Sequence, residues 1–180
     1  HDGHLHFVHG RHALMSISLD CVTSLEEIQR RVKEKVKSAT AGEWISGRGW
    51  DQEILPGKKW PTKELIDEVA PNNPVTLSRI CGHATLVNSY VLRISGITKN
   101  TPNPPGGVIH RDKKGDPSGI LSESAFMGPL FFNAPSIYSK MMAEYDQGGR
   151  VEMMARCASR FHHLGIVGAH DPFVDAATLR

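Results

Sequence analysis

Cysteine is scarce in this chain and awkward in number. Cys21, Cys81 and Cys157 are three among 180 residues, widely spaced, with no Cys-X-X-Cys among them. That argues against a disulfide framework and a thiolate metal knuckle, and it reads as three reduced, small core residues of a cytoplasmic protein. A dominant charge sign is missing as well. Lys and Arg number 21 against 19 Asp and Glu, for a formal net charge of +2, and the basic residues at 30–37 are interleaved with Glu26, Glu27 and Glu34. That face is solvated, and the chain lacks the electrostatic footprint of a nucleic-acid binder. No apolar run approaches the roughly 20 residues that cross a bilayer, so no membrane-spanning helix is expected. No Met stands at position 1 and no leader precedes His1, which fits a truncated or partly recorded protein. The remainder, 39% hydrophobic and 22% charged, is the composition of a soluble globular domain with one ordinary core.

The chain opens with Asp2-Gly3-His4-Leu5-His6-Phe7. A strand alternates its side chains, so His4 and His6 would share one face, where two imidazoles can hold one metal ion. Asp-Gly ahead of the pair reads as a turn or bulge, and Leu5, Phe7 and Val8 as the company of a buried strand. His9 and His12, among Gly10 and Arg11, read as solvated loop.

Further along, Ser24-Leu25-Glu26-Glu27 is a capping box, followed by Leu25, Ile28, Val32, Val36 and Ala39 at helical spacing up to Gly42. Residues 43–50 read as a strand whose Gly47 and Gly49 mark a close backbone approach. A short helix follows Pro61-Thr62 and stops before Pro71. Residues 74–80 alternate as a strand, and the spacing predicts a helix over 83–94 ending at Gly96. Residues 108–111 and 119–121 should pair as a hairpin around Lys113-Lys114-Gly115-Asp116. After Pro135 a helical pattern resumes, breaks at Gly148-Gly149, and continues as a buried stripe through Val151, Met154, Ala158, Phe161 and Leu164. Residues 166–171 then read as a buried strand ending in His170-Asp171, the pattern of a barrel-type active-site rim.

Taken in order, the phrases DGHLHF, GEWISGRGWD, NPVTLSRICGHATLVNS, PPGGVIHRDKKGDPSGILSES and HHLGIVGAHD resemble the YtcJ-like branch of the metal-dependent amidohydrolase superfamily (amidohydrolase family 3). The phrases span nearly the whole chain. Gly82-His83 with Asn88-Ser89, then residues 107–112 and 119–123, are what separate this resemblance from a generic His-X-His.

The resemblance implies an α/β fold: the first strands of a (β/α)8 TIM-type metallohydrolase barrel, carrying a family-specific α+β insertion. Mapped here, residues 1–13 would be the first barrel strand and metal-binding loop, 14–130 the insertion, and 131–180 helices and the next barrel strand. The rest of the barrel and a β-sandwich would lie outside this chain. His4 and His6 would ligate a divalent metal, one or two ions, with zinc the expected one, although imidazole nitrogen suits iron, nickel and copper too. A lysine, two further histidines and the general acid/base aspartate would come from later strands, so no catalytic base is assigned. The implied reaction is metal-assisted hydrolysis of carbon–nitrogen bonds, of a non-peptide amide type, in a small molecule. His83, Glu123, His170 and Asp171 are the substrate-proximal candidates.

Each of these has a plainer reading. His83 after Gly82 could as well cap a helix, and Glu123 could match a helix dipole. Trp44, Trp50 and Trp60 suit packing more than a pocket wall, His162-His163 suit a helix C-terminus, and His110 and Arg111 the surface. As a stretch with open strand edges, these 180 residues alone are expected to be inactive and to self-associate, as a homo-oligomer or an aggregate. The competing expectation is a noncatalytic α+β module that binds a ligand or partner, with the His pair a remnant.

Overall fold

The computed structural model describes residues 1–5, 16–126 and 150–171. His6, Phe7, Val8, His9 and His12 of the opening, and the helical pattern after Pro135, lie outside the described residues. The chain divides into two compact units, one of Ile17–Met141 and one of His1–Ser16 with Met142–Arg180.

The larger unit is built on a mixed six-stranded sheet. Its strands are β1 (Ile17–Ser18), β2 (Ile45–Trp50), β3 (Val75–Arg79), β4 (Ala84–Val87), β5 (Gly107–Arg111) and β6 (Pro117–Glu123). They lie in the order β1-β2-β3-β4-β6-β5, and the sheet does not close into a barrel. The first three are parallel, with Ile45 opposite Val75 and Gly47 opposite Leu77. The β3–β4, β4–β6 and β6–β5 pairs are antiparallel.

The parallel half needs crossovers, and the sequence supplies them. Helix α1 (Leu25–Ser38) starts where Ser24 Oγ accepts from the Glu27 N–H at 3.1 Å, a cap worth about 1 kcal/mol. The Glu27 carboxylate turns to Arg30 and Arg31 at 2.7 Å each, and the two guanidinium groups hold its pKa down to about 2. Short helices α2 (Lys63–Asp67) and α3 (Ser89–Ile94) complete the layers.

Strand alternation divides the core between the two faces of the sheet. Ile120 joins Ile45, Leu77 and Leu86 under Ile28, Val32 and Ile66 of α1 and α2, while its neighbour Leu121 joins Val87, Ile109, Val91 and Leu92 on the other side. Each fully buried side chain of this size contributes about 1.5–3 kcal/mol. Trp50 lies fully buried in the first cluster, its indole N–H donating to the Leu77 carbonyl at 2.6 Å. The close approach expected in β2 is present. Gly49 sits at φ +115°, and a Cβ there would lie 2.2 Å from Asp20 Oδ1.

The 107–123 hairpin forms as expected, turned by Asp112, whose Oδ1 accepts from the Lys114 and Asp116 N–H groups. The helix expected over 83–94 is corrected. Residues Ala84–Val87 are all buried and paired on both sides, by β3 and β6, so they form a central strand. The helix begins only after Asn88, whose side chain caps it. The expectation of three core cysteines is also corrected: Cys157 is buried, but Cys21 and Cys81 are exposed, since both stand where the chain turns at a strand end.

In the smaller unit, α4 (Arg150–His163) buries Cys157, and Met154, Ala158 and Phe161 are half-buried. It stops in a Schellman motif. Gly165 at φ +76° donates to the His162 carbonyl and Ile166 to the Phe161 carbonyl, the two bonds that a left-handed C′ residue permits. Leu164, at 63% exposure, leaves the expected buried stripe. Residues 166–171 do not form the expected buried strand: Val167 is 74% exposed, and one parallel bridge joins Asp2 to Ala169. A single bridge supplies no sheet face to cover these side chains. Among the described residues no helix is long and apolar enough to cross a membrane.

Candidate functional site

The opening motif is held by backbone. The Asp2 N–H donates to the Gly168 carbonyl at 2.8 Å, the His170 N–H to the Asp2 carbonyl at 3.0 Å, and the Leu5 N–H to the His170 carbonyl at 2.9 Å. This is parallel pairing, the kind that a crossover connection requires. The Asp2 carboxylate accepts from the His4 N–H at 2.9 Å, an Asx turn that shapes the chain just before the imidazole. His4 and His170 are exposed, and Asp171 is half-buried. The structure thus sets the His4 segment and the His170-Asp171 segment side by side, while His6 lies outside the described residues.

Among the described residues no three His, Cys, Asp or Glu side chains gather as a metal site. Imidazole donors suit a borderline divalent ion, but one or two of them fall short of the three protein ligands of a catalytic centre. The described residues supply at most part of a ligand set.

In the larger unit, His83 and Glu123 come together. His83 is the last residue of the β3–β4 turn and Glu123 the last of β6. Because Ala84 stands opposite Ser122, the two fall next in register. His83 Nδ1 lies 2.9 Å from Glu123 Oε1, with the side chains 71% and 53% exposed, and the Glu123 N–H donates to the His83 carbonyl at 3.1 Å. Of the two plainer readings, one does not survive: His83 precedes a strand and caps no helix, whereas Glu123 closes β6 at φ +53° directly before the helical residues 124–126, where a carboxylate faces a helix start. A left-handed residue other than glycine costs about 1–2 kcal/mol, whereas an exposed polar pair of this kind returns about 0–1 kcal/mol. The pair does not offset its own strain.

The turn beside it is polar. Cys81 Sγ accepts from the His83 N–H at 3.4 Å. Partial burial pushes the thiol pKa up, but that backbone donor and the Arg79 guanidinium outweigh it, leaving Cys81 below its usual range. Arg79 in turn donates to Gln52 Oε1 at 2.6 Å and Asp51 Oδ1 at 2.9 Å, and lies 5.9 Å from the Trp60 ring centroid.

His110 and Arg111 are not simply surface residues, as expected from sequence. His110 stacks on Trp60 with centroids 5.7 Å apart and planes at 20°, and its Nε2 is 2.9 Å from Ser122 Oγ. Burial lowers its pKa. Arg111 spreads its guanidinium over the carbonyls of Thr98, Lys99, Thr101 and Gly115. Trp50 packs in the core and half-buried Trp44 donates to Thr76 Oγ1, so both serve the sheet. His163 Nδ1 meets the Ser159 carbonyl at 2.7 Å, an ordinary helix-end contact. Arg111 and Asn88, both missed as organising residues, could have been suspected from sequence only as long-reach donors beside turns.

Comparison with known proteins follows the same outline. A model of the amidohydrolase family matches residues 1–178. The Bacillus subtilis (strain 168) protein YtcJ is 37% identical over 124 residues, 69% of this chain and 23% of YtcJ. N-substituted formamide deformylase of Arthrobacter pascens is 31% identical over 166 residues, 88% of this chain and 29% of the deformylase. In fold, the chain resembles an uncharacterized metal-dependent hydrolase from Pyrococcus horikoshii OT3, with a TM-score of 0.64 at 24% identity over 99% of this chain and 32% of that one. The chain therefore spans less than a third of each of these proteins. With the match running through both units, from the His4 segment to the residues after Asp171, the chain belongs to the amidohydrolase family.

Proposed function

We propose that this chain is the N-terminal portion of a cytoplasmic, metal-dependent amidohydrolase that cleaves a carbon–nitrogen bond in a small, non-peptide amide. The observation that carries this reading is the parallel pairing of the His4 segment with residues 168–170, in a chain matched by the family from residue 1 to residue 178. Two neighbouring parallel segments, each ending in imidazole or carboxylate groups, are what the first strands of a TIM-type barrel offer at its catalytic end. Residues 1–13 and 131–180 would then belong to the barrel, and 14–130 would be an insertion carried on it.

His4 and His6 would hold part of a divalent ion's ligand set, zinc being the favoured ion for a nitrogen-rich set. Such an ion, when bound, supplies an activated water and polarises the scissile carbonyl. His170 and Asp171 lie beside His4 in the pairing and would border the same face. The Arthrobacter relative's name makes N-substituted formamides the first substrates to try.

The test is elemental analysis of the intact protein and of a His4→Ala/His6→Ala variant, with hydrolysis of an N-substituted formamide panel followed in both. Near-stoichiometric metal and turnover in the wild type, both lost in the variant, is the expected result. A metal-free wild type whose ligand binding the double substitution leaves unchanged would instead make this a noncatalytic binding module.

A further inference from the structure

We propose that residues 98–106 are a releasable guard on the outer edge of β5, and that β5, once freed, pairs antiparallel with β5 of a second copy of this chain. The inference lies wholly within the larger unit and stands apart from the reaction proposed above.

Among the described residues β5 is the last strand of the sheet, so one of its sides meets no further strand. Register and alternation say which groups face that side. The Glu123 N–H donates to the His83 carbonyl, toward β4, so residues 121 and 123 of β6 turn their backbone to β4 and Ser122 turns to β5. Ile109 stands opposite Leu121, and Gly107 opposite Glu123. Both therefore point their backbone groups outward, while Val108 between them points its own inward.

Such a row is a template for another strand. Here the loop fills it. The Ile109 N–H donates to Asn103 Oδ1 at 2.9 Å, and the Gly107 N–H to the Pro104 carbonyl at 3.1 Å. The guard accepts as a strand would, but Pro102, Pro104 and Pro105 have no N–H to pass on, so pairing stops there. Two clamps hold it. The Arg111 guanidinium donates to the Thr98, Lys99 and Thr101 carbonyls, and Ser124 Oγ donates to the Pro105 carbonyl at 2.7 Å. No residue of 98–106 is buried. Polar clamps, rather than core packing, keep the guard in place, and that makes it releasable.

The occupant follows from symmetry. Gly107 and Ile109 flank Val108, so a two-fold axis at Val108 sets Gly107 of each copy against Ile109 of the other, both backbone hydrogen bonds being exchanged. Val108, 44% exposed, meets its own copy at the axis. Gly-Val-Ile carries no charge to oppose the pairing.

Light scattering on the intact chain, across micromolar to millimolar protein, reads the pairing. Asn103→Ala/Arg111→Ala, which removes an acceptor and a clamp, should raise the mass about twofold with concentration. Adding Val108→Lys sets two ammonium groups face to face and should return the wild-type mass. Hydrogen exchange in dilute solution reads the guard itself. The Ile109 amide should exchange about tenfold faster in the double variant, the worth of about one hydrogen bond. A freed Ile109 amide with unchanged mass, or association that survives Val108→Lys, would overturn the pairing. An Ile109 amide as slow as in the wild type would overturn the guard, as would a wild type whose own association Val108→Lys abolishes, because the edge would then already be open.

Discussion

One strand carries two polar residues of a single sequence phrase, and its two ends treat them in opposite ways. At the end of β4, Asn88 is fully buried and makes four hydrogen bonds: its Oδ1 accepts from the Val75 and Val91 N–H groups, and its Nδ2 donates to the Ala70 and Asn73 carbonyls. Before the start of the same strand, His83 is 71% exposed and contacts one carboxylate through its side chain. Six residues of one phrase thus run from a group committed to the fold to a group committed to nothing inside it. Membership in a family phrase says that a residue matters; burial and the number of satisfied partners say whether it matters to folding or to chemistry.

The sharpest way to break the comparison is to empty the buried end. Asn88→Ala leaves two N–H groups and two carbonyls without their partner, and should destabilise the protein by about 3 kcal/mol or more. The urea midpoint reads this directly. Asn88→Asp should be nearly as harmful, since a carboxylate cannot donate to Ala70 or Asn73. A loss below about 1 kcal/mol would mean that water replaces the side chain, and that this end of β4 is less different from the other than its geometry states.

Arg111 extends the buried side of the comparison to a charged group. Its guanidinium ties the carbonyls of residues 98, 99, 101 and 115, so it staples the proline-rich loop to the 107–123 hairpin. Lysine keeps the charge and loses the planar fork. Arg111→Lys should cost about 1–2 kcal/mol and speed proteolytic cutting within residues 98–106. Unchanged proteolysis would assign the loop's order to its prolines.

His110 gives the comparison a pH axis. Burial holds its pKa below the ordinary 6.5, so the folded protein favours the neutral ring. The sign follows: the ring's contribution is complete above about pH 6.5 and is lost as pH falls through its lower folded value. Urea midpoints at about pH 8 and about pH 5 should differ more in the wild type than in His110→Phe, which keeps the stack on Trp60 and cannot titrate. Equal pH dependence in both would place the acid sensitivity elsewhere.

What could be read from sequence divides along the same line of local against distant. Helix α1 and the 107–123 hairpin are legible because their signals are short-range: a cap three residues from its partner, an apolar period, a turn between two runs. Strand β4 is not, because its four residues, Ala-Thr-Leu-Val, abut a capped helix and share its period, and only pairing with β3 and β6 makes them a strand. The exposure of Cys21 and Cys81 is hidden for a related reason, since residue type argues for the core and position at a turn overrides it. His83 and Glu123 are each visible as candidates, yet their contact spans 40 residues and depends on β6 lying between β4 and β5. No pattern within either phrase encodes that order.

The smallest effect on stability belongs to the exposed end, and it is the most diagnostic. His83→Ala removes a hydrogen-bonded contact already surrounded by water, so the change in unfolding free energy should stay within about 0.5 kcal/mol. Glu123→Gly goes further, because it removes the same pair and relieves the left-handed backbone at φ +53°. Relief of strain and loss of the side chain oppose one another here, and the net change should be neutral or slightly stabilising. Both are read from the same urea midpoints as Asn88→Ala. If Glu123→Gly were clearly destabilising, the pair would be holding the β4–β6 edge together and both ends of the strand would serve folding. If it is neutral, the carboxylate sits in a strained position that the fold itself does not need, and the difference between the two ends is one of purpose.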